Sequence, residues 1–158
     1  MCIRTALLSD LDTVLNITQE TVRCIYPHYY PRGAVDFFLQ HHNAESIIAD
    51  IKDCLVFLCL ASDQTAVGTV TVRKNELCRL FVLPQYQGHG YGRMLLDFAE
   101  AKVSETHNTI VLDASLPAKS IYIRRGYHIT ESHAIPTSFG DFLCYDVMQK
   151  PLTDKTSF

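Results

Sequence analysis

The chain has no long apolar run, no block of like charge, no paired-cysteine motif and no linker-like tract. Its longest apolar run, residues 54–61, is far too short to cross a bilayer, so no membrane partner is expected. Net charge is -3 with both signs dispersed, which argues against a nucleic-acid partner and tolerates a cationic small substrate. Cys2, Cys24, Cys54, Cys59, Cys78 and Cys144 show neither Cys-x-x-Cys spacing nor a regular framework. They read as reduced packing residues of a soluble, cytoplasmic protein with no metal site. With no repeat, low-complexity tract or Pro/Gly/Ser linker, residues 1–158 are expected to form a single domain, and 47% hydrophobic with 20% charged content supplies one substantial core. Two familiar phosphate-binding patterns are also missing. Arg93 stands where Gly-x-Gly-x-x-Gly would need its last glycine, and no Gly-x-x-x-x-Gly-Lys-Ser/Thr occurs.

What is present is concentrated in residues 84–96, Pro-Gln-Tyr-Gln-Gly-His-Gly-Tyr-Gly-Arg-Met-Leu-Leu. Upstream, Leu77, Leu80, Phe81 and Val82 read as a buried strand; downstream, Tyr91, Leu95, Phe98, Ala99 and Val103 recur on one helical face. The glycines therefore fall where a strand gives way to a helix. The first amides of a helix lack internal partners and sit at the positive end of its dipole, so the N–H groups from Gln87 to Gly92 can converge on phosphate oxygens. Gly88, Gly90 and Gly92 remove the side chains that would block that approach.

The rest of the chain reads as one continuous series of elements. Residues 3–6 form a short strand. Ser9 and Asp12 have capping-box spacing, and Leu11, Val14, Leu15, Thr18, Val22 and Ile25 mark a helical face that ends before Pro27. Tyr26, Tyr29 and Tyr30 make an aromatic loop. Residues 34–41 and 44–51 read as helical with a break near Asn43; 55–61 and 66–73 as a hairpin; 76–82 as the strand entering the glycine turn. A strand at 109–113, a short helix from near Pro117 to Gly126, and strands at 127–133 and 142–150 complete the order.

Gln87, Gly90 and Gly92 match the Arg/Gln-x-x-Gly-x-Gly/Ala signature, so the segment resembles the GCN5-related N-acetyltransferase (GNAT) family. A second stretch, residues 115–127, resembles the family's Asn-x-x-Ala-x-x-x-Tyr-x-x-x-Gly-Phe: Ala118, Tyr122 and Gly126 match, while Ser115 replaces Asn and Tyr127 replaces Phe. The element order resembles the same fold over nearly the whole chain. The resemblance implies an α/β (α+β) acyl-CoA N-acyltransferase fold, a central mixed and mostly antiparallel sheet flanked by helices. It also implies a splay between the strands at 76–82 and 109–113, opening a slot for the pantetheine arm.

The implied activity is acetyl-CoA-dependent N-acetyl transfer to an unidentified amine by direct attack in a ternary complex, by a monomer or homodimer; the alternative is a non-catalytic acyl-CoA-binding or sensing domain. The implied coenzyme site comprises Leu80, Phe81 and Val82 along the strand, Gln87, Gly88, His89, Gly90, Tyr91, Gly92 and Arg93 at the turn, and Ser115 and Ala118 beyond. Tyr122 is the implied general acid near the coenzyme sulfur. A phenol of pKa about 10 yielding its proton outright to a thiolate of pKa about 8.5 goes uphill by roughly 2 kcal/mol, so a hydrogen bond that strengthens as charge develops on sulfur fits better. Glu76 is the foremost base candidate, against a solvated charge at a strand start; His28, His41, His42 and a water relay are the other routes. Arg93, Lys119, Arg124 and Arg125 read either as phosphate partners or as exposed cations.

Overall fold

The computed structural model describes residues 2–152. One seven-stranded sheet runs in the order β1-β2-β3-β4-β5-β7-β6, with β1 at Cys2–Thr5, β2 at Val56–Leu60, β3 at Ala66–Arg73, β4 at Glu76–Val82, β5 at Thr109–Ala114, β6 at His128–Pro136 and β7 at Phe142–Pro151. Every neighbouring pair is antiparallel except β4 and β5, which run parallel. Strand β2 is buried along its whole length because helices cover both faces, which is why it reads as an uninterrupted apolar run. Helices α1 (Leu11–Ile25), α2 (Arg32–His41) and α3 (Ala44–Lys52) lie on one face; α4 (Tyr91–Ser104) and α5 (Leu116–Arg124) lie on the other. No described helix is long and apolar enough to cross a membrane.

Two cores follow from that layering. Val70, Val82, Leu95, Leu96, Ile110 and Leu112 fill the side under α4, while Val14, Ile17, Ile47, Leu58, Phe81 and Leu143 fill the side under α1 and α3. Within α1, Thr18 and Thr21 are buried among these apolar groups because each hydroxyl donates to the carbonyl one turn back, Val14 at 2.9 Å and Ile17 at 2.7 Å.

Several local expectations change. The Ser9–Asp12 capping box does not form: a 3-10 turn, Leu8–Asp10, precedes α1, and the Asp10 carboxylate accepts the Leu7 amide at 2.8 Å while gripping both terminal nitrogens of Arg4. Ionic anchorage to β1 outcompetes a hydroxyl cap. Asn43 is a true cap, accepting from the Ser46 amide at 2.9 Å at the start of α3. The cysteines are all free thiols, yet only Cys59 is a packing residue; Cys78 is half-buried and the other four are exposed.

The turn joining β6 to β7 is clasped to the start of α2. Asp141 accepts from the Gly33 amide at 2.9 Å and from the Thr137 hydroxyl at 2.5 Å, and the Arg32 guanidinium lies 5.0 Å above the Phe139 ring. Gly33 is required by proximity, since a Cβ there would collide with Thr137 Oγ1 and Asp141 Oδ1. Gly33→Ala is expected to destabilise the protein by about 1–3 kcal/mol, the usual cost of forced overpacking. The readout is a lower midpoint in urea unfolding; an unchanged midpoint would show that the clasp contributes nothing to stability.

Candidate active site

The site is built around an interruption in sheet pairing. Strands β4 and β5 share only two Cα partners, Glu76 with Val111 and Leu77 with Leu112, and then separate. The separation begins at a bulge: β3 pairs Thr71 with Arg79 but Val72 with Leu77, leaving Cys78 as the extra residue. Beyond it, Leu83 donates to Val67 at 2.9 Å across the β3 ladder. Backbone alternation therefore commits Phe81 to β3 and turns the N–H and C=O groups of Leu80 and Val82 into the gap. Of the three strand positions, Phe81 contributes a ring rather than an amide: it packs edge-on to His42 with centroids 5.4 Å apart.

The gap opens into a cleft of about 1350 Å³. Its glycine end is prepared backbone. Gly88 and Gly90 line the cleft with φ of +78° and +88°, which L side chains rarely adopt, and a Cβ on either would meet open space. Gly92 has no such strain; its Cβ would rest 3.9 Å from Val82 Cγ2. Gly90 is the first residue before α4, so the amides of the opening turn are unspent and face the cleft mouth. The Gln87 side chain has a structural task, donating from Nε2 to the Val82 carbonyl at 2.9 Å, which fixes the turn to the end of β4. Arg93 is exposed on the cleft rim.

His89 and Tyr91 stand outside the cleft lining. The His89 ring folds back so that Nδ1 donates to the Gln87 carbonyl at 2.9 Å, and Tyr91 packs edge-on to Tyr86 with centroids 6.2 Å apart. Two of the cations are also engaged elsewhere: Lys119 pairs with Asp146 at 2.5 Å, and Arg125 pairs with Glu100 at 2.9 Å and with Asp97. Arg93 and Arg124 are the cleft cations without a protein carboxylate among the described residues.

Helix α5 forms the far wall. Ser115, Ala118 and Tyr122 all line the cleft. The Tyr122 side chain is only 7% exposed, no described residue hydrogen-bonds its hydroxyl, and that oxygen is not sealed from the cleft. Burial, and secondarily Tyr26, push its pKa well above the ordinary phenol value, so it is a neutral donor throughout the physiological range. Ser115 accepts from the Tyr26 hydroxyl at 3.2 Å, leaving its own O–H free to donate. Of the three tyrosines before α2, Tyr26 and Tyr30 are thus braces, while Tyr29 is exposed. Tyr30 donates to the Cys144 carbonyl at 3.0 Å and accepts from the Leu116 amide at 2.8 Å, securing the start of α5; burial lifts its pKa to about 12.

Glu76 lies exposed at the start of β4, and Asp113, which sequence reasoning left as the end of a strand, lines the same cleft. Burial pushes Cys78 up to about 11, so its thiol stays protonated near neutrality. The most consequential group that sequence reasoning missed is buried under α2 and α3. Arg79, 6% exposed, donates to Asp50, to Ser46 Oγ at 2.8 Å, to Thr71 Oγ1 at 3.3 Å and from Nε to His42 Nδ1 at 3.2 Å. Arg73 shares the same carboxylate at 2.5 Å. His42 is accordingly no base: its basic nitrogen receives a guanidinium proton, and burial, Arg79 and His41 together depress its pKa to about 3. Arg79, a charge inside the otherwise apolar run of β4, is the one local sign of this cluster, because its partners lie in distant segments.

Residues 25–136 match the acetyltransferase (GNAT) domain family. An uncharacterised N-acetyltransferase of Chlorobaculum tepidum is 27% identical over 140 residues, 85% of this chain and 80% of that protein. The spermidine N(1)-acetyltransferase of Thermoplasma acidophilum is 25% identical over 108 residues, 62% of this chain and 67% of that one. Among solved structures, a GCN5-related N-acetyltransferase from Rhodopseudomonas palustris superposes with a TM-score of 0.86 at 19% identity, covering 96% of this chain and 95% of that one. The PaiA N-acetyltransferase of Thermoplasma acidophilum, solved with coenzyme A, gives 0.74 at 22% identity, covering 95% and 98%. The split sheet, the glycine turn and the family match agree, and the chain belongs to the GNAT family of N-acetyltransferases.

Proposed function

We propose that residues 1–158 act as one domain that transfers an acetyl group from acetyl-CoA directly to an amine held in the same cleft. The observation that carries this reading is Tyr122, 7% exposed and with its hydroxyl bonded by no described residue, on the wall of a cleft whose other end is a glycine turn of positive φ at the start of a helix. The turn suits a pyrophosphate, because it lines the cleft at the start of α4, where the first helix amides have no intrahelical partners, and its glycines hold a positive φ that L side chains rarely adopt. The backbone groups of Leu80 and the amide of Val82 suit an amide-bearing arm lying along the strand as a further edge, while the Val82 carbonyl is already taken by Gln87 Nε2 and Thr21 Oγ1. A cleft of about 1350 Å³ exceeds the roughly 300–1,000 Å³ common for single small ligands and leaves room for donor and acceptor together.

In this mechanism the amine lone pair attacks the thioester carbonyl carbon, the C–N bond forms, the C–S bond breaks with sulfur departing as thiolate, and the proton that the nitrogen sheds on becoming an amide passes through cleft water to that thiolate. At pH 7 an alkylammonium of pKa about 10.4 must first lose a proton at a cost of about 4.6 kcal/mol. Glu76 takes that proton directly or through water. Tyr122 donates a hydrogen bond to the sulfur as negative charge develops; its raised pKa makes outright early transfer still less favourable than for a free phenol. Direct transfer fits Cys78, the cleft thiol, which is too weakly acidic to serve as an acyl-carrying nucleophile.

Gly90→Val is expected to weaken acetyl-CoA binding while the protein stays folded, as read by calorimetric titration; unaltered affinity would remove the turn from the coenzyme site. Glu76→Gln should lower turnover most near neutral pH and progressively less as the free amine accumulates at high pH. A loss that is equal at every pH would transfer the base role to another group, with Asp113 the first to test. Tyr122→Phe should cut turnover by about 10²- to 10⁴-fold with little change in coenzyme affinity, and the deficit should narrow with a thioester whose leaving thiol is more acidic. Parallel rates for the variant and wild type would reduce Tyr122 to packing and favour a non-catalytic coenzyme-binding role.

A further inference from the structure

The orientation of the His42 ring specifies what the acceptor must offer. His42 is 6% exposed and lines the cleft between α2 and β4. Arg79 Nε can only donate, so His42 Nδ1 is the acceptor of their 3.2 Å bond and the imidazole proton resides on Nε2. No described residue accepts from Nε2–H, and no unpartnered side-chain nitrogen or oxygen among the described residues is sealed from solvent, so this N–H faces the cleft. It is a rigid donor. Arg79 is itself held by Asp50, Ser46 and Thr71, and the ring is packed edge-on between Phe81 and His41 with centroids 5.4 and 5.0 Å away. Next to His42 the arginines add donors for an oxygen ligand, with the carboxylates of Glu76 and Asp113 elsewhere in the lining. Two guanidiniums, Arg73 and Arg79, share the single Asp50 carboxylate, and the Arg73 side chain is 50% exposed at the cleft with its remaining N–H groups free of described partners.

Resting on the N-acetyltransferase reading above, we propose that His42 Nε2–H binds an oxygen carried beside the reacting amine, so that the acceptor is an α-amino carbonyl compound, an amino acid, its amide or a peptide N-terminus. A plain alkyl di- or polyamine has no lone pair on oxygen to offer this donor and leaves it unsatisfied when it displaces cleft water. The pKa of about 3 is consistent: the ring remains a neutral donor through the whole range in which the enzyme would work.

The test compares kcat/KM for alaninamide, ethylamine and spermidine in wild type, His42→Leu and His42→Gln. Gln can accept from Arg79 through Oε1 and still donate from its amide nitrogen; Leu can do neither. The alaninamide-to-ethylamine ratio should fall about tenfold or more in His42→Leu and stay close to wild type in His42→Gln; using the same two amines throughout cancels their difference in basicity. A ratio unchanged in both variants overturns the inference, as does a wild-type enzyme that acetylates spermidine but not alaninamide. Either result leaves the proposed reaction standing, whereas transfer to no amine at all would count against that reaction. A second measurement does not depend on either variant folding. In wild-type protein saturated with coenzyme A, the imidazole Nε2–H resonance of His42 should shift on titration with alaninamide and not with ethylamine, and the absence of a shift would also overturn the assignment.

Discussion

The loss of pairing between β4 and β5 is the constraint on which the rest of the site depends. Two partner positions hold these parallel strands together, and the Cys78 bulge then bends β4 away. Peptide groups left unpaired in a dry interior cost about 1–3 kcal/mol each, so the free edge beyond Cys78 persists only because a solvent-filled or ligand-filled cleft replaces the missing strand. The same divergence opens space for the start of α5, the Ser115–Tyr26 contact and the Tyr122 ring. A continuous β4–β5 ladder would satisfy the backbone better and leave no site.

Two polar clusters, one on each face of the sheet, hold the walls of that opening. Under α2 and α3, Asp50, Arg79, Arg73, Ser46, Thr71 and His42 tie two helices to the strand that bears Glu76. Across the sheet, Glu100 of α4 accepts from Arg125 at 2.9 Å, Lys150 at 3.0 Å and the Tyr127 hydroxyl at 3.0 Å, which anchors the end of the helix bearing Tyr122. A lone buried guanidinium or carboxylate would be strongly destabilising, and each cluster offsets that with several charge-assisted bonds. Their value here is directional. Their directed bonds fix the two walls of the cleft relative to the sheet, which an apolar core of equal volume would do less specifically.

Local sequence made much of the architecture legible because local interactions decide it. The strand Glu76–Val82 and the helix from Tyr91 agree with the pattern of apolar residues, and the glycines between them carry the positive φ values that the turn demands. Strand and helix ends elsewhere shift by one to three residues, as at β6, expected to end at 133 and running on to Pro136. The errors have a common physical origin. Ser9 and Asp12 have the spacing of a cap, but Asp10 binds Arg4 from a neighbouring strand; Tyr26 and Tyr30 look like loop aromatics, yet their hydroxyls meet Ser115, Cys144 and Leu116, residues from the other half of the chain. Dispersed cysteines do not reveal that only Cys59 is enclosed.

The sequence by itself determined the order of elements, the glycine turn between β4 and α4 and the residue types available for acid-base work, since each rests on groups within one or two turns of backbone. Tertiary structure alone decided which of those groups can act. Tyr122 is a neutral donor because burial desolvates it and no described residue bonds its hydroxyl. His42 passes from candidate base to fixed donor because Arg79, far along the chain, occupies its lone pair. Protonation state and hydrogen-bond direction depend on neighbours brought together by folding, and spacing along the chain carries no record of them.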